Sequence, residues 1–79
     1  TKWNKMATCV VTYKNGREQY IDIDPDAYDE VRCGYTDDGY FTIMVRIGKN
    51  ISYLARIRSE AINGYYFLNA TCGSYSIED

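Results

Sequence analysis

The sequence contains no histidine. Histidine is the commonest general base near neutral pH, so its absence removes the usual starting point for acid–base catalysis. The six glycines are scattered along the chain, and no glycine-rich phosphate-binding loop occurs. We therefore predict a protein that is not an enzyme, with no catalytic residues and no cofactor.

Long apolar runs are also absent. No stretch of about 18 apolar residues occurs, so we expect no membrane-spanning helix and no membrane partner. The three cysteines, Cys9, Cys33 and Cys72, are odd in number and lack the spacing of metal ligands. We expect reduced, mostly buried thiols in a cytoplasmic protein.

Tyrosine supplies most of the aromatic side chains, since the chain has nine Tyr but only two Phe and one Trp. A chain this short buries only about 60% of the surface that it exposes when unfolded. We therefore expect a single domain, residues 1–79, with a thin core that depends on tyrosine rings. A homodimer contact or a bound partner would help to stabilise such a core.

Alternation of apolar and polar residues with a period of two is the dominant pattern. It runs through residues 6–13, 40–47 and 51–58, where β-branched and aromatic residues are frequent. In the first strand of the second hairpin, alternation places one set of residues on the apolar face: Phe41, Ile43, Val45 and Ile47. In the second strand we assign Ile51, Tyr53, Ala55 and Ile57 to the apolar face, and Ser52, Leu54, Arg56 and Arg58 to the opposite face.

Turn residues punctuate these runs. Asn15-Gly16 is a strong hairpin signal, which we assign to a type I′ turn, and residues 48–50 and Asn63-Gly64 predict two further tight turns. Together the patterns predict a mostly β protein (β or α+β), built as a small antiparallel sheet or barrel of five to seven hairpin-linked strands. A last edge strand is expected near residues 73–77.

Residues 24–31 predict the one helix of the chain. Asp24 is a good N-cap, and Pro25 suits the first helical position because its φ is already fixed there and its missing N–H is not needed. Tyr28 and Val31, three residues apart, would face the sheet. We expect a short helix near residues 25–31.

The stretch "DIDPDAYDE" (22–30) raises the question of a metal site. Asp22, Asp24 and Asp26 match the first, third and fifth ligand positions of a calcium-binding loop. The glycine expected at the sixth position is Ala27, and the glutamate expected at the twelfth is Cys33. We therefore predict no metal site.

These acids instead predict a docking surface for a basic region of a partner protein. The surface would combine the acids of residues 22–30 with a neighbouring pair, and its members are Asp22, Asp24, Asp26, Asp29, Glu30, Asp37 and Asp38.

The stretch 39–58 has the opposite character, because it contains no acid and carries several basic residues. Tyrosine and arginine are enriched among the anchors of protein interfaces. We predict such anchors at Tyr20, Tyr40, Arg46, Arg56 and Arg58. Single-stranded nucleic-acid-binding proteins use the same side chains, but a net charge of −2 opposes a general attraction to nucleic acid.

We predict a small non-enzymatic protein-binding module that occupies a surface of a larger protein or protein complex. Its sharpest form is a virus- or mobile-element-encoded inhibitor of a host nucleic-acid-processing complex, in which acids compete for a site that normally holds phosphate. This form is argued from size and charge rather than from a motif. The alternatives are a small β-barrel that binds single-stranded nucleic acid and an oligomeric structural subunit joined through edge strands.

Overall fold

A computed structural model describes residues 7–68 and shows a mostly β chain. The expected edge strand near residues 73–77 lies outside the described residues. The strands, in chain order, are Ala7–Tyr13 (β1), Glu18–Ile23 (β2), Glu30–Tyr35 (β3), Tyr40–Ile47 (β4), Asn50–Arg58 (β5) and Ile62–Leu68 (β6).

The strands form two separate three-stranded antiparallel sheets, with the orders β2-β1-β6 in the first sheet and β3-β4-β5 in the second. The predicted mostly β, antiparallel character and the hairpins over residues 7–23 and 40–58 are therefore confirmed. The expectation of one sheet or a closed barrel is wrong, because β6 returns to pair with β1 rather than continuing from β5.

The inner faces of the two sheets share one core. Phe41 of the second sheet lies against Tyr65 of the first, with ring centroids 4.5 Å apart. The two outer faces therefore point away from each other. The buried cluster combines Cys9, Val11, Ile23 and Ile62 of the first sheet with Val31, Cys33, Phe41, Ile43 and Val45 of the second.

Two hairpins use the same three-residue loop. In the β1–β2 loop the Gly16 N–H donates to the Tyr13 carbonyl at 3.0 Å, and the Tyr13 N–H donates to the Arg17 carbonyl at 2.8 Å. The loop at residues 36–40 repeats this arrangement, with Gly39 in the place of Gly16. Both glycines have positive φ, 91° and 92°, a conformation that suits glycine. The predicted two-residue type I′ turn at Asn15-Gly16 is therefore wrong, although the predicted hairpin is present.

Two β-bulges, one in β6 and one in β5, make assignments drawn from the sequence wrong. Asn63-Gly64 is not a turn but lies inside β6, where Tyr13 pairs with Ile62 and Thr12 with Gly64, so that Asn63 is an extra residue. The Thr12 hydroxyl donates to the Gly64 carbonyl at 3.1 Å beside this bulge.

The second bulge changes which side chains of β5 point outward. Ile43 pairs with Ala55, but Met44 pairs with Tyr53, so Leu54 is the extra residue. One extra residue exchanges the two faces of the strand beyond it. Ile51 and Tyr53 therefore lie on the outer face, not on the apolar face to which alternation assigned them.

The predicted helix at 25–31 is also wrong. Only a three-residue 3-10 turn forms, Pro25–Ala27, and Tyr28 is already extended. Its expected cap is present, because the Asp24 carboxylate accepts a hydrogen bond from the Asp26 N–H at 3.1 Å. The helix stops because β3 begins at Glu30 and its partner β4 offers backbone hydrogen bonds instead. A second 3-10 turn, Ser59–Ala61, links β5 to β6, and no helix within residues 7–68 has the length and hydropathy of a membrane span.

Replacing Asp24 with Ala should lower the free energy of unfolding by ~0.5–2 kcal/mol, because the Asp26 N–H loses its acceptor. Urea denaturation would measure the change. Asp26→Ala is the matched control, since it removes an adjacent acid and leaves the cap in place. Equal denaturation midpoints for Asp24→Ala and the wild-type chain would contradict this assignment.

The Cys9 thiol should be unreactive in the folded protein. Burial raises its pKa from 9.0 to about 11, so its thiolate fraction near pH 8 falls roughly a hundredfold. Labelling with iodoacetamide, followed by digestion and mass spectrometry, should find Cys9 unmodified in native protein and modified in urea. Equal labelling rates in the two conditions would show that Cys9 is not buried.

Candidate functional site

The outer face of the second sheet carries four arginines and two tyrosines of residues 7–68. Alternation along β4 places Tyr40 and Arg46 on this face, and cross-strand pairing adds side chains from β3 and β5. We call it the arginine face, and define it as Glu30, Arg32, Gly34, Tyr40, Thr42, Met44, Arg46, Ile51, Tyr53, Arg56 and Arg58.

An aromatic ring and two guanidinium groups stack at one end of the arginine face. The guanidinium carbon of Arg56 lies 3.7 Å from the centroid of the Tyr40 ring, and that of Arg58 lies 5.7 Å from it. Each contact of this kind contributes about 0.5–1 kcal/mol at an exposed site. The stack holds the three side chains in place before any ligand binds.

Carboxylates accompany every guanidinium group of the arginine face. Glu30 accepts from both Arg46, at 3.0 Å, and Arg32. Arg56 lies 3.8 Å from Asp38, and Arg58 lies 3.6 Å from Glu60. The positive charge of this face is therefore largely matched by carboxylates of the same chain.

A shallow groove of about 320 Å³ crosses the arginine face. It forms because Gly34 and Thr42 bring little bulk to neighbouring positions on β3 and β4. Tyr53, Met44 and Arg32 are among the larger residues that line it. The groove has room for a side chain of a partner.

The edge of the second sheet is unusually apolar. Strand β5 has no strand on its other side within residues 7–68. Its Ile51, Tyr53 and Leu54 are exposed by 58%, 55% and 36%, and the adjoining Ile47 is exposed by 55%. Sequence reasoning placed Leu54 outward but assigned Ile47, Ile51 and Tyr53 to the apolar face, because the edge position of β5 and its bulge leave no mark in the alternation.

The predicted acidic docking surface is not assembled as one patch. Asp29 and Glu30 lie at one end of β3, whereas Asp37 and Asp38 lie in the loop beyond its other end. A strand of six residues spans about 20 Å, which separates the two groups.

Several of these acids already hold the fold together. The Asp29 carboxylate accepts from the Gly48 N–H at 2.7 Å, and the Arg46 guanidinium donates to the Gly48 carbonyl at 2.8 Å. Thr36 donates to Asp38 within the β3–β4 loop. Only Asp26 and Asp37, among the predicted acids, have carboxylates with no hydrogen bond or ion pair to residues 7–68.

Tyr20 and Asp22 are separated from the other predicted site residues. Both lie on the outer face of the first sheet, which points away from the arginine face. The Tyr20 hydroxyl donates to Glu18 at 3.2 Å, and that carboxylate is the main reason that the pKa of Tyr20 is raised. Asp22 accepts from the Thr8 hydroxyl at 2.9 Å. The structure therefore brings together Tyr40, Arg56 and Arg58, places Arg46 near the other end of the same face, and leaves Tyr20 outside that face.

Within residues 7–68, no three His, Cys, Asp or Glu side chains lie close enough to hold a metal ion. Comparison with protein-family models, with curated proteins and with solved structures found no match. The functional argument therefore rests on the geometry of the arginine face and of the β5 edge.

The Glu30 carboxyl should titrate below its ordinary value of 4.5. Its hydrogen bonds with Arg46 and then with Arg32 favour the ionised form and lower its pKa. The stabilisation from these bonds is therefore present at neutral pH and is lost as the pH falls through the lowered pKa. An NMR titration of the side-chain carboxyl carbon would measure the midpoint.

Glu30→Gln is the control, because it keeps the shape of the side chain and removes the titrating charge. The acid side of the stability profile should then become flatter than that of the wild-type protein. A Glu30 midpoint at or above 4.5 would contradict the bond network.

Proposed function

We propose that the protein is a non-enzymatic protein-binding module that attaches to a larger protein through the arginine face. The Tyr40–Arg56–Arg58 stack is the observation that carries this proposal. Tyrosine and arginine are enriched among interface hot spots, and side chains already held in place lose less conformational entropy on binding.

The groove next to the stack supplies a second element of recognition. Interface anchors usually fill a pocket on the partner protein, and the groove beside Gly34 is open enough to receive one apolar or aromatic side chain. Each guanidinium group of the arginine face is already paired with a carboxylate of the chain, so the groove and the aromatic ring, rather than net charge, select the partner. The partner that fits best therefore has an exposed apolar or aromatic anchor within a surface of mixed charge.

An inhibitor of a nucleic-acid-processing complex remains one form of this proposal. That form needs acids that replace phosphates in a basic site. The dispersed positions of Asp29, Glu30, Asp37 and Asp38 give it less support than the arginine face gives to a partner with an apolar or aromatic anchor. We therefore propose the arginine face, rather than the acids, as the first surface to test.

Binding of single-stranded nucleic acid is the second candidate function. The stacked ring and guanidinium groups of Tyr40 and Arg56 favour it, because such groups contact bases and phosphates. The carboxylates paired with each arginine weaken it, because they repel phosphate and compete for the same guanidinium groups.

Charge reversal of Arg56 and Arg58 to Glu should abolish partner binding without unfolding the protein, since both side chains are exposed. Affinity capture from a lysate of the source cells, with and without nuclease, would compare the variant with the wild-type chain. The matched control is Lys14→Glu with Arg17→Glu, which makes the same change of charge at the exposed β1–β2 loop.

Loss of the captured protein with the first variant alone would support the arginine face. Its capture by both variants would refute that assignment. For the second candidate, titration of the purified protein with single-stranded RNA and DNA should show no binding at low salt. Tight binding that weakens steeply with added salt would replace protein binding by nucleic-acid binding.

A further inference from the structure

Strand β5 combines three properties that edge strands of monomeric proteins usually avoid. It is nine residues long, more than any other strand of residues 7–68. Its residues 50–54 are all exposed. Residues 50–55, "NISYLA", carry no charge and contain no proline or glycine, which is the composition of segments that pair with further strands.

We propose that residues 50–54 of β5 pair antiparallel with the same segment of a second copy of this chain, about a two-fold axis at Ser52. A contact of this kind is isologous, so one surface serves both partners and the assembly closes as a dimer. The proposal goes beyond the proposed function and does not depend on it.

The pattern of side chains favours a second copy as the occupant. An axis at Ser52 places Ile51 opposite Tyr53 of the second copy, and the two-fold operation repeats this pair. Both side chains lie on the outer face, where Ile51 pairs with Arg46 and Tyr53 with Met44. An aromatic ring opposite a β-branched side chain is among the favourable cross-strand pairs.

Charge and the bulge together select this register. An axis at Arg56 would place the two copies of Arg56 opposite each other, and an axis at Ile57 would place Arg56 opposite Arg58. Like charges directly opposite are destabilising. An axis at Leu54 separates the arginines but sets Tyr53, an outer-face residue, opposite Ala55, which lies on the inner face. An axis at Ser52 brings no arginines together and pairs Ile51 with Tyr53, which lie on the same face.

Pairing of this kind joins two three-stranded sheets into one continuous sheet. Because the axis is perpendicular to the sheet, both arginine faces lie on the same side of the dimer. The paired segment is short, so the buried area lies toward the low end of specific interfaces, where weak and transient contacts are found.

Sedimentation equilibrium across the micromolar to millimolar range tests the proposal. The wild-type chain should change from monomer to dimer, and Ile51→Lys should raise the dissociation constant tenfold or more, since lysine on an edge opposes pairing. Tyr20→Lys is the matched control, because Tyr20 lies on an edge strand of the first sheet and both residues are 58% exposed. This control should leave the dissociation constant unchanged.

Ser52→Cys tests the register directly. In an antiparallel pair the two Cα atoms of residue 52 would be about 4.5–5.5 Å apart, within the range of a disulfide. Oxidised glutathione should therefore link the variant into covalent dimers faster than Gln19→Cys, which places a thiol on the edge strand β2, and faster than the wild-type chain.

A wild-type chain that stays monomeric at millimolar concentration would overturn the proposal. A dimer that Ile51→Lys leaves intact would also overturn it, as would equal rates of disulfide formation for Ser52→Cys and Gln19→Cys. Dissociation by Ile51→Lys together with rapid linkage at residue 52 would support it.

Discussion

The contact between the inner faces of the two sheets is the interaction on which the rest of the structure depends. Three strands alone have one face to bury, and each sheet supplies the cover that the other needs. Phe41 and Tyr65 meet at the centre of this contact, surrounded by aliphatic side chains and two cysteines. Since the contact uses most of the aliphatic residues, tyrosine, arginine and acids are left for the outer faces.

The parts of the fold that alternation predicted correctly belong to the central strands. In β4 the predicted apolar positions Phe41, Ile43 and Val45 are buried, because neighbours on both sides hold the strand in a regular register, but Ile47 at the end of the strand is 55% exposed. Edge strand β5 has one neighbour, and there a single extra residue at Leu54 exchanges the faces of Ile51 and Tyr53. This bulge does not require a particular residue type, so the pattern of apolar and polar residues does not reveal it.

Local signals marked the right positions but did not predict which structures form there. Asp24 caps a turn, as its position predicts, yet the helix ends after Ala27 because pairing with β4 is available from Glu30 onward. Asn63-Gly64 has the composition of a hairpin turn and lies instead in a bulge of β6. Alternation predicts Tyr40, Arg56 and Arg58 on the arginine face, but Ile51 and Tyr53 join it only because of the bulge. The separation of Tyr20 from Tyr40 depends on the division into two sheets, which is a property of the whole chain.

Gly48, at the tip of the β4–β5 hairpin, has both of its backbone polar groups bound by side chains, one from Asp29 and one from Arg46. Asp29 belongs to the short segment that crosses from one sheet to the other, and its own N–H donates to the Arg46 carbonyl at 2.8 Å. The crossing segment therefore stabilises the β4–β5 hairpin, which follows it in the chain. A protease cut or an insertion in the crossing segment would remove these hydrogen bonds from the hairpin tip beside Ile47 and Ile51, although the tip lies nearly twenty residues further along the chain.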